Sequence, residues 1–327
     1  MRKIRVIALF LALTLSLTAC GGGGSTSEKQ TADVSSEDNV QEEETSDTAT
    51  DDQSTDTVEE ASDMDVDLEV DSIEPVQFEE TTVVDNDQCS IIITGIEEDN
   101  IWGYTLKAFL ENKSSDKTYM FSVVTASING VETDPLFATE VSAGKKANAD
   151  ISFSDTSFAE NGISQFTDIE LTFRVYDNDD WMADSIFEDS IHLYPYGQDA
   201  AEKYVREAQG TDNVIAENES ASVIVTGYST DPIWGYTVEL FITNKTSDHT
   251  LMFSVDDAAV NGYMADPFFA TTVGPGNCSF KEMSFSDTTL AENGITDIEE
   301  ITFSLRAYDA DEFGSDDFLN ESVTLNP

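Results

Sequence analysis

Ile169-Glu170-Leu171-Thr172-Phe173-Arg174-Val175-Tyr176 sets an apolar side chain at every second position, with Glu, Thr, Arg and Tyr between them. A period of two is the signature of a β-strand with one buried face. The same alternation returns 132 positions later as Ile301-Thr302-Phe303-Ser304-Leu305-Arg306-Ala307-Tyr308. Working outward, the offset never changes. Ile92-Ile93-Thr94-Gly95 matches Ile224-Val225-Thr226-Gly227, and Ile101-Trp102-Gly103-Tyr104-Thr105 matches Ile233-Trp234-Gly235-Tyr236-Thr237. Asp134-Pro135-Leu136-Phe137 matches Asp266-Pro267-Phe268-Phe269, and Ala159-Glu160-Asn161-Gly162-Ile163 matches Ala291 to Ile295. A gap-free offset of this length is a duplicated domain, since solenoid repeats run to about 20–50 residues.

Further strand-like runs lie at 89–95, 101–112, 118–128, 148–153 and 184–193. Asn129-Gly130 between two of them favours a tight hairpin, and Lys145-Lys146 marks another turn. One short helix per copy is expected, capped by Ser154 or Asp155 and ended by Gly162. Six or seven mostly antiparallel strands in about 110 residues point to an all-β chain of two tandem immunoglobulin-like β-sandwiches. The expected copies span 81–198 and 211–327. Between them, 199–210 reads as a helical connector rich in helix formers and stopped by Gly210.

The N-terminus has another character. Met1-Arg2-Lys3-Ile4-Arg5 is a cationic head, and Val6 to Leu17 is an apolar run. Twelve helical residues rise about 18 Å, short of a ~30 Å hydrocarbon core, so 1–19 reads as a secretory signal peptide and not a membrane span. From Gly21 to Glu80 there are 21 acidic residues and one Lys, with no aromatic before Phe78. Such a composition cannot offset the entropy of ordering, so 20–80 is expected to be a disordered acidic stalk.

Leu17-Thr18-Ala19-Cys20, following that head and core, resembles the lipobox of bacterial lipoproteins. The resemblance implies a diacylglyceryl thioether on Cys20, which becomes the mature N-terminus. Two acyl chains suffice for stable anchoring, where one is marginal. The lipid bilayer is then a partner through Cys20, and the expected location is the outer face of the cytoplasmic membrane, facing the cell wall or exterior. The Trp-Gly-Tyr strand, the Asn-Gly turn, the Asp-Pro-x-Phe segment and the Glu-Asn-Gly-Ile helix end resemble immunoglobulin-like modules of Gram-positive surface lipoproteins. Those modules carry no established activity.

Charge excludes one large class. The chain has 66 acidic and 15 basic residues, a net charge of −51, which repels phosphate backbones and argues against nucleic acid as a partner. Three cysteines make no disulfide framework. His192 and His249 occupy non-equivalent positions and read as surface histidines; Cys89 and Cys278 read as small buried side chains. No phosphate loop, Gly-x-Ser-x-Gly elbow or His-Glu-x-x-His occurs.

Two constellations remain as site candidates. Asp177 and Asp179, mirrored by Asp309 and Asp311, sit in oxygen-rich loops that suit either calcium or Asx turns. Trp102 and Tyr104, mirrored by Trp234 and Tyr236, suit either a ligand platform or packing over the sandwich edge. The expected function is non-enzymatic binding of a surface protein or glycan. The alternative is a carboxylate-based enzyme or accessory acting on cell wall or glycan, which needs a pair of acids in one cleft.

Overall fold

The computed structural model describes residues 75–153, 157–312 and 314–327. The expected signal peptide, Cys20 and most of the expected stalk, together with Ser154 and Asp155, lie outside the described residues.

Each copy is a sandwich of nine strands. In the first, β1 (Thr81–Asp85), β2 (Cys89–Asn100), β3 (Gly103–Asn112) and β7 (Lys146–Phe153) form one sheet in the order β1-β2-β3-β7. The facing layer runs β5-β4-β8-β9, from β4 (Tyr119–Ile128), β5 (Val131–Thr133), β8 (Ile169–Asp177) and β9 (Phe187–Leu193). A short β6 (Ala138–Val141) also pairs with β4. The second copy repeats this arrangement. Its first sheet holds β10 (Asn213–Glu217), β11 (Ala221–Asp231), β12 (Gly235–Asn244) and β16 (Cys278–Phe285). Its second holds β13 (Leu251–Val260), β14 (Tyr263–Met264), β15 (Ala270–Val273), β17 (Ile301–Asp309) and β18 (Leu319–Leu325).

The alternation that opened the sequence reading is the core itself. Ile169, Leu171, Phe173 and Val175 on β8 are completely buried, while the residues between them stay half-exposed. They meet Ile91, Leu106 and Leu110 of the opposite sheet in one apolar cluster. Ile301, Phe303, Leu305 and Ala307 on β17 do the same with Val223, Val238 and Ile242. Asn129 and Gly130 both have positive φ, 52° and 78°, as a two-residue hairpin with right-handed strand twist demands. The helices are α1 (Ser157–Glu160) and α2 (Asp287–Glu292), followed by the positive-φ Gly162 and Gly294.

Two boundaries differ from expectation. Residues 75–80, assigned to the stalk from composition, belong with the first copy: the Val76 amide bonds to the Pro195 carbonyl at 2.9 Å, and Phe78 packs against the first core. The connector is not a helix. A single 3₁₀ turn at Gln198–Ala200 gives way to a strap without regular structure through Gln209.

Tertiary contacts override helix propensity in this strap. The Tyr204 amide donates to the Asn129 carbonyl of copy 1 at 2.7 Å, while its ring meets Phe241 and Phe280 of copy 2. Lys203 Nζ donates to the Gly276 carbonyl at 2.9 Å. Arg206 forks onto Asp212 at 2.7 and 2.8 Å and lies over the Phe241 ring. A wound segment could not spread these side chains along both copies.

The strap lies on a direct joint. β5 pairs in parallel with β16 through Val131 and Cys278, and the Gly130 carbonyl accepts from the Cys278 amide at 2.9 Å. Glu132 Oε1 accepts from the Gly274 amide at 2.8 Å and from Asn277 Nδ2 at 3.2 Å. Phe241 and Cys278 of copy 2 therefore join the first copy's core. Burial pushes the Cys278 thiol up to about 12, so it sits there as a neutral, inert side chain.

Candidate binding surfaces

The acidic loops close on themselves. Asp177 accepts the Asp179 amide on Oδ1 at 3.1 Å and pairs with Lys117 through Oδ2 at 2.7 Å. The Lys117 ammonium, with the Asp179 amide, holds the Asp177 carboxyl below the usual range. Asp309 repeats this, with the Asp311 amide on Oδ1 at 2.8 Å and His249 Nδ1 on Oδ2 at 2.7 Å. Both oxygens of both lead carboxylates are engaged, and Asp179 and Asp311 point outward as exposed residues. Among the described residues no three His, Cys, Asp or Glu side chains converge on a metal-sized point. Calcium would have to displace Lys117 or His249 and break an Asx turn in each loop, so the geometry is that of turns. Lys117 and His249 occupy equivalent positions 132 residues apart, and each bonds to the lead Asp of its own loop.

The aromatic pairs are split between solvent and core. Ile101 and Trp102 form the turn between β2 and β3 and are 90% and 59% exposed. Ile233 and Trp234, between β11 and β12, are 81% and 50% exposed. Tyr104 turns inward instead, against Phe166 at 4.6 Å and Phe153 at 6.5 Å, and burial raises its phenol. Tyr236 stacks on Tyr228 at 6.2 Å. Residues i and i+2 share a face only in regular strand. Here Gly103 and Gly235 adopt φ 89°, which turns the two aromatics apart. At Gly235 a Cβ would stand 2.3 Å from the Phe285 carbonyl oxygen, so the Trp-Gly-Tyr motif needs its glycine twice over. The two rings of each motif therefore do not share one face, and each tryptophan is about half exposed.

Each tip is braced. Asn100 Oδ1 accepts the Trp102 amide at 3.1 Å, and Asp231 Oδ1 accepts the Ile233 and Trp234 amides at 2.7 Å. A second loop is pinned to the same end of each sandwich. The Leu136 amide donates to the Ser152 carbonyl at 2.9 Å, and Phe268 to Ser284 at 2.8 Å. Ser152 and Ser284 in turn face Thr105 and Thr237, three residues past each Trp. Leu136 and Phe268 are exposed, and the Phe268 ring meets Trp234 edge-on at 5.4 Å. Sequence reasoning missed Leu136 and Phe268. Their signal was the Asp-Pro before each, which marks a turn and not a strand.

No protein-family model and no curated protein matches the chain. Among solved structures, the YadV chaperone is 11% identical with a TM-score of 0.21, covering 68% of this chain and 92% of that one. The exo-chitosanase CsxA of Amycolatopsis orientalis is 12% identical with a TM-score of 0.21, covering 71% of this chain and 26% of that one. Likeness at this level carries no argument about activity.

Proposed function

We propose that the chain is a lipid-anchored binding protein on the outer face of the cytoplasmic membrane, held through acylated Cys20. In this reading it presents two apolar hairpin tips to a protein partner and catalyses nothing. The observation that carries the proposal is the repeated exposure of Ile101-Trp102 with Leu136, and of Ile233-Trp234 with Phe268. A lone exposed apolar residue needs no explanation, but the same trio at the same end of both copies does. Trp is among the side chains that dominate interface energetics, and bracing by Asx bonds removes part of the ordering cost. The aliphatic Ile at each apex suits an apolar protein pocket better than the flat face of a sugar. Residues 81–327 carry 45 acidic and 11 basic side chains, which favours a basic partner and speeds its encounter. Two tips on one chain add avidity where the partner is multivalent.

The test is capture from cell-surface extract on the immobilised full chain. The Trp102→Ala/Trp234→Ala variant is expected to lose the captured species and each single variant to weaken it. Equal capture by wild type and double variant would overturn the reading.

A further inference from the structure

The joint between the copies encloses a second feature, on the outer face of the β5-β4-β8-β9 sheet and lined by none of the tip residues. Cross-strand register lines up Glu132, Ser127, Glu170 and His192 in one row over four strands. Thr125, Thr172 and Ser190 form the next row. Copy 2 closes the space from the other side with Thr250, Thr272, Gly274, Pro275 and Asn277, leaving a cleft of about 240 Å³. Hydroxyls dominate its wall. Thr125 Oγ1 donates to Thr172 Oγ1 at 2.7 Å, Thr172 and Ser190 hydroxyls meet at 2.8 Å, and Ser127 Oγ donates to Glu170 Oε2 at 3.3 Å. The two bonds that fix Glu132 both fall on Oε1, and a Cβ on Gly274 would stand 2.9 Å from that oxygen.

We propose that this cleft is a binding site for a single sugar-sized, polyhydroxylated ligand that is neutral or amine-bearing. Size supports this first. At about 30 Å³ per water the cleft holds about eight waters, the scale of one sugar ring and not of a peptide. Chemistry supports it second. Ligand pockets are mostly apolar, whereas this wall alternates hydroxyls, which donate and accept, with two carboxylates and an amide. A ring of hydroxyls matches that mixture, and no Lys or Arg among the lining residues offers a charge to an anionic ligand.

Duplication supplies an independent argument. The positions of Glu132, Ser127, Glu170 and His192 are occupied in copy 2 by Met264, Ala259, Thr302 and Thr324. The copies keep their cores and tips alike but differ along this row. Contact with copy 2 accounts for Glu132; it does not account for Ser127 and Glu170, which bond each other beside the open space while His192 Nε2 lies 3.8 Å from Glu170 Oε1.

The site is independent of the hairpin tips, so the test separates the two. Titration calorimetry of the full chain with glucose, glucosamine, glucuronate and putrescine at fixed ionic strength is expected to give saturable binding of glucose or glucosamine. Glucuronate and putrescine are expected to bind at least tenfold more weakly. Glu170→Gln on one wall and Thr272→Val on the other should each weaken the sugar at least tenfold with the melting temperature unchanged, and Trp102→Ala/Trp234→Ala should leave it as in wild type. Maltotriose distinguishes the source: affinity equal to the monosaccharide's means a chain end, and loss means a free sugar. No saturable binding of either sugar, putrescine binding as tightly as they do, or sugar binding indifferent to both cleft variants would overturn the proposal.

Discussion

Asn112 and Asn244 illustrate how single side chains carry this fold. Each is fully buried and staples a loop by three backbone bonds; Asn244 Nδ2 donates to the His249 and Val273 carbonyls, both at 2.8 Å, and Oδ1 accepts the Thr246 amide at 2.9 Å. Buried backbone groups left without partners cost about 1–3 kcal/mol each. Asn244→Ala is therefore expected to lower stability by about 2–4 kcal/mol, read by urea denaturation. Titration has a residue-scale signature as well. The Arg206 guanidinium and the Gln209 amide hold Asp212 at about 2, below the 3.8 of a free carboxyl. A depressed folded value means stability that is present above pH 3.8 and lost as pH falls towards 2. Wild type and Asp212→Asn should differ in stability at pH 5 and converge near pH 2. Glu132 has the opposite sign: desolvation in the joint raises its value above 4.5, so its ionisation costs stability as pH climbs past that point. Glu132→Gln should flatten that part of the profile.

At the scale of elements, what the sequence made legible followed from periodicity and duplication. β8 and β17 alternate so regularly that their buried faces could be named residue by residue, and the Asn129-Gly130 turn follows from the two positive φ values such a turn requires. The strap was not legible. Ala200, Ala201, Lys203, Tyr204 and Arg206 read as helix formers because propensity is local, whereas their conformation is set by Asn129, Phe241 and Gly276, distant in sequence. The aromatic site was half legible. Trp-Gly-Tyr was visible as a motif, but which ring faces water depends on a glycine at φ 89° and on crowding by the Phe285 carbonyl. Gly235→Ala should accordingly cost well over about 1 kcal/mol, because the new residue meets both the strained φ and the carbonyl. Retained fold with a lowered melting temperature is the expected outcome, and an unchanged one would remove the account of the motif.

The whole molecule is two sandwiches joined by a parallel strand contact, a buried carboxylate and a strap, with the Ile-Trp apex of each tip exposed. Its acidity makes it salt-sensitive: self-repulsion destabilises the compact form and screening relieves it. With the Asp177 and Asp309 carboxylates already occupied, calcium and magnesium at matched concentration should raise the melting temperature equally. A calcium-specific rise abolished by Asp309→Asn would restore those loops as metal sites.

The central claim is that partners are met at the tips, and site-directed photocrosslinking on intact cells tests it most directly. A benzoylphenylalanine placed at Ile101 or Ile233 of the full chain, with the equally exposed Val205 of the strap as control, should yield a discrete protein adduct from each tip and none from the strap. Adducts from Val205 alone, or none from either tip, would contradict it.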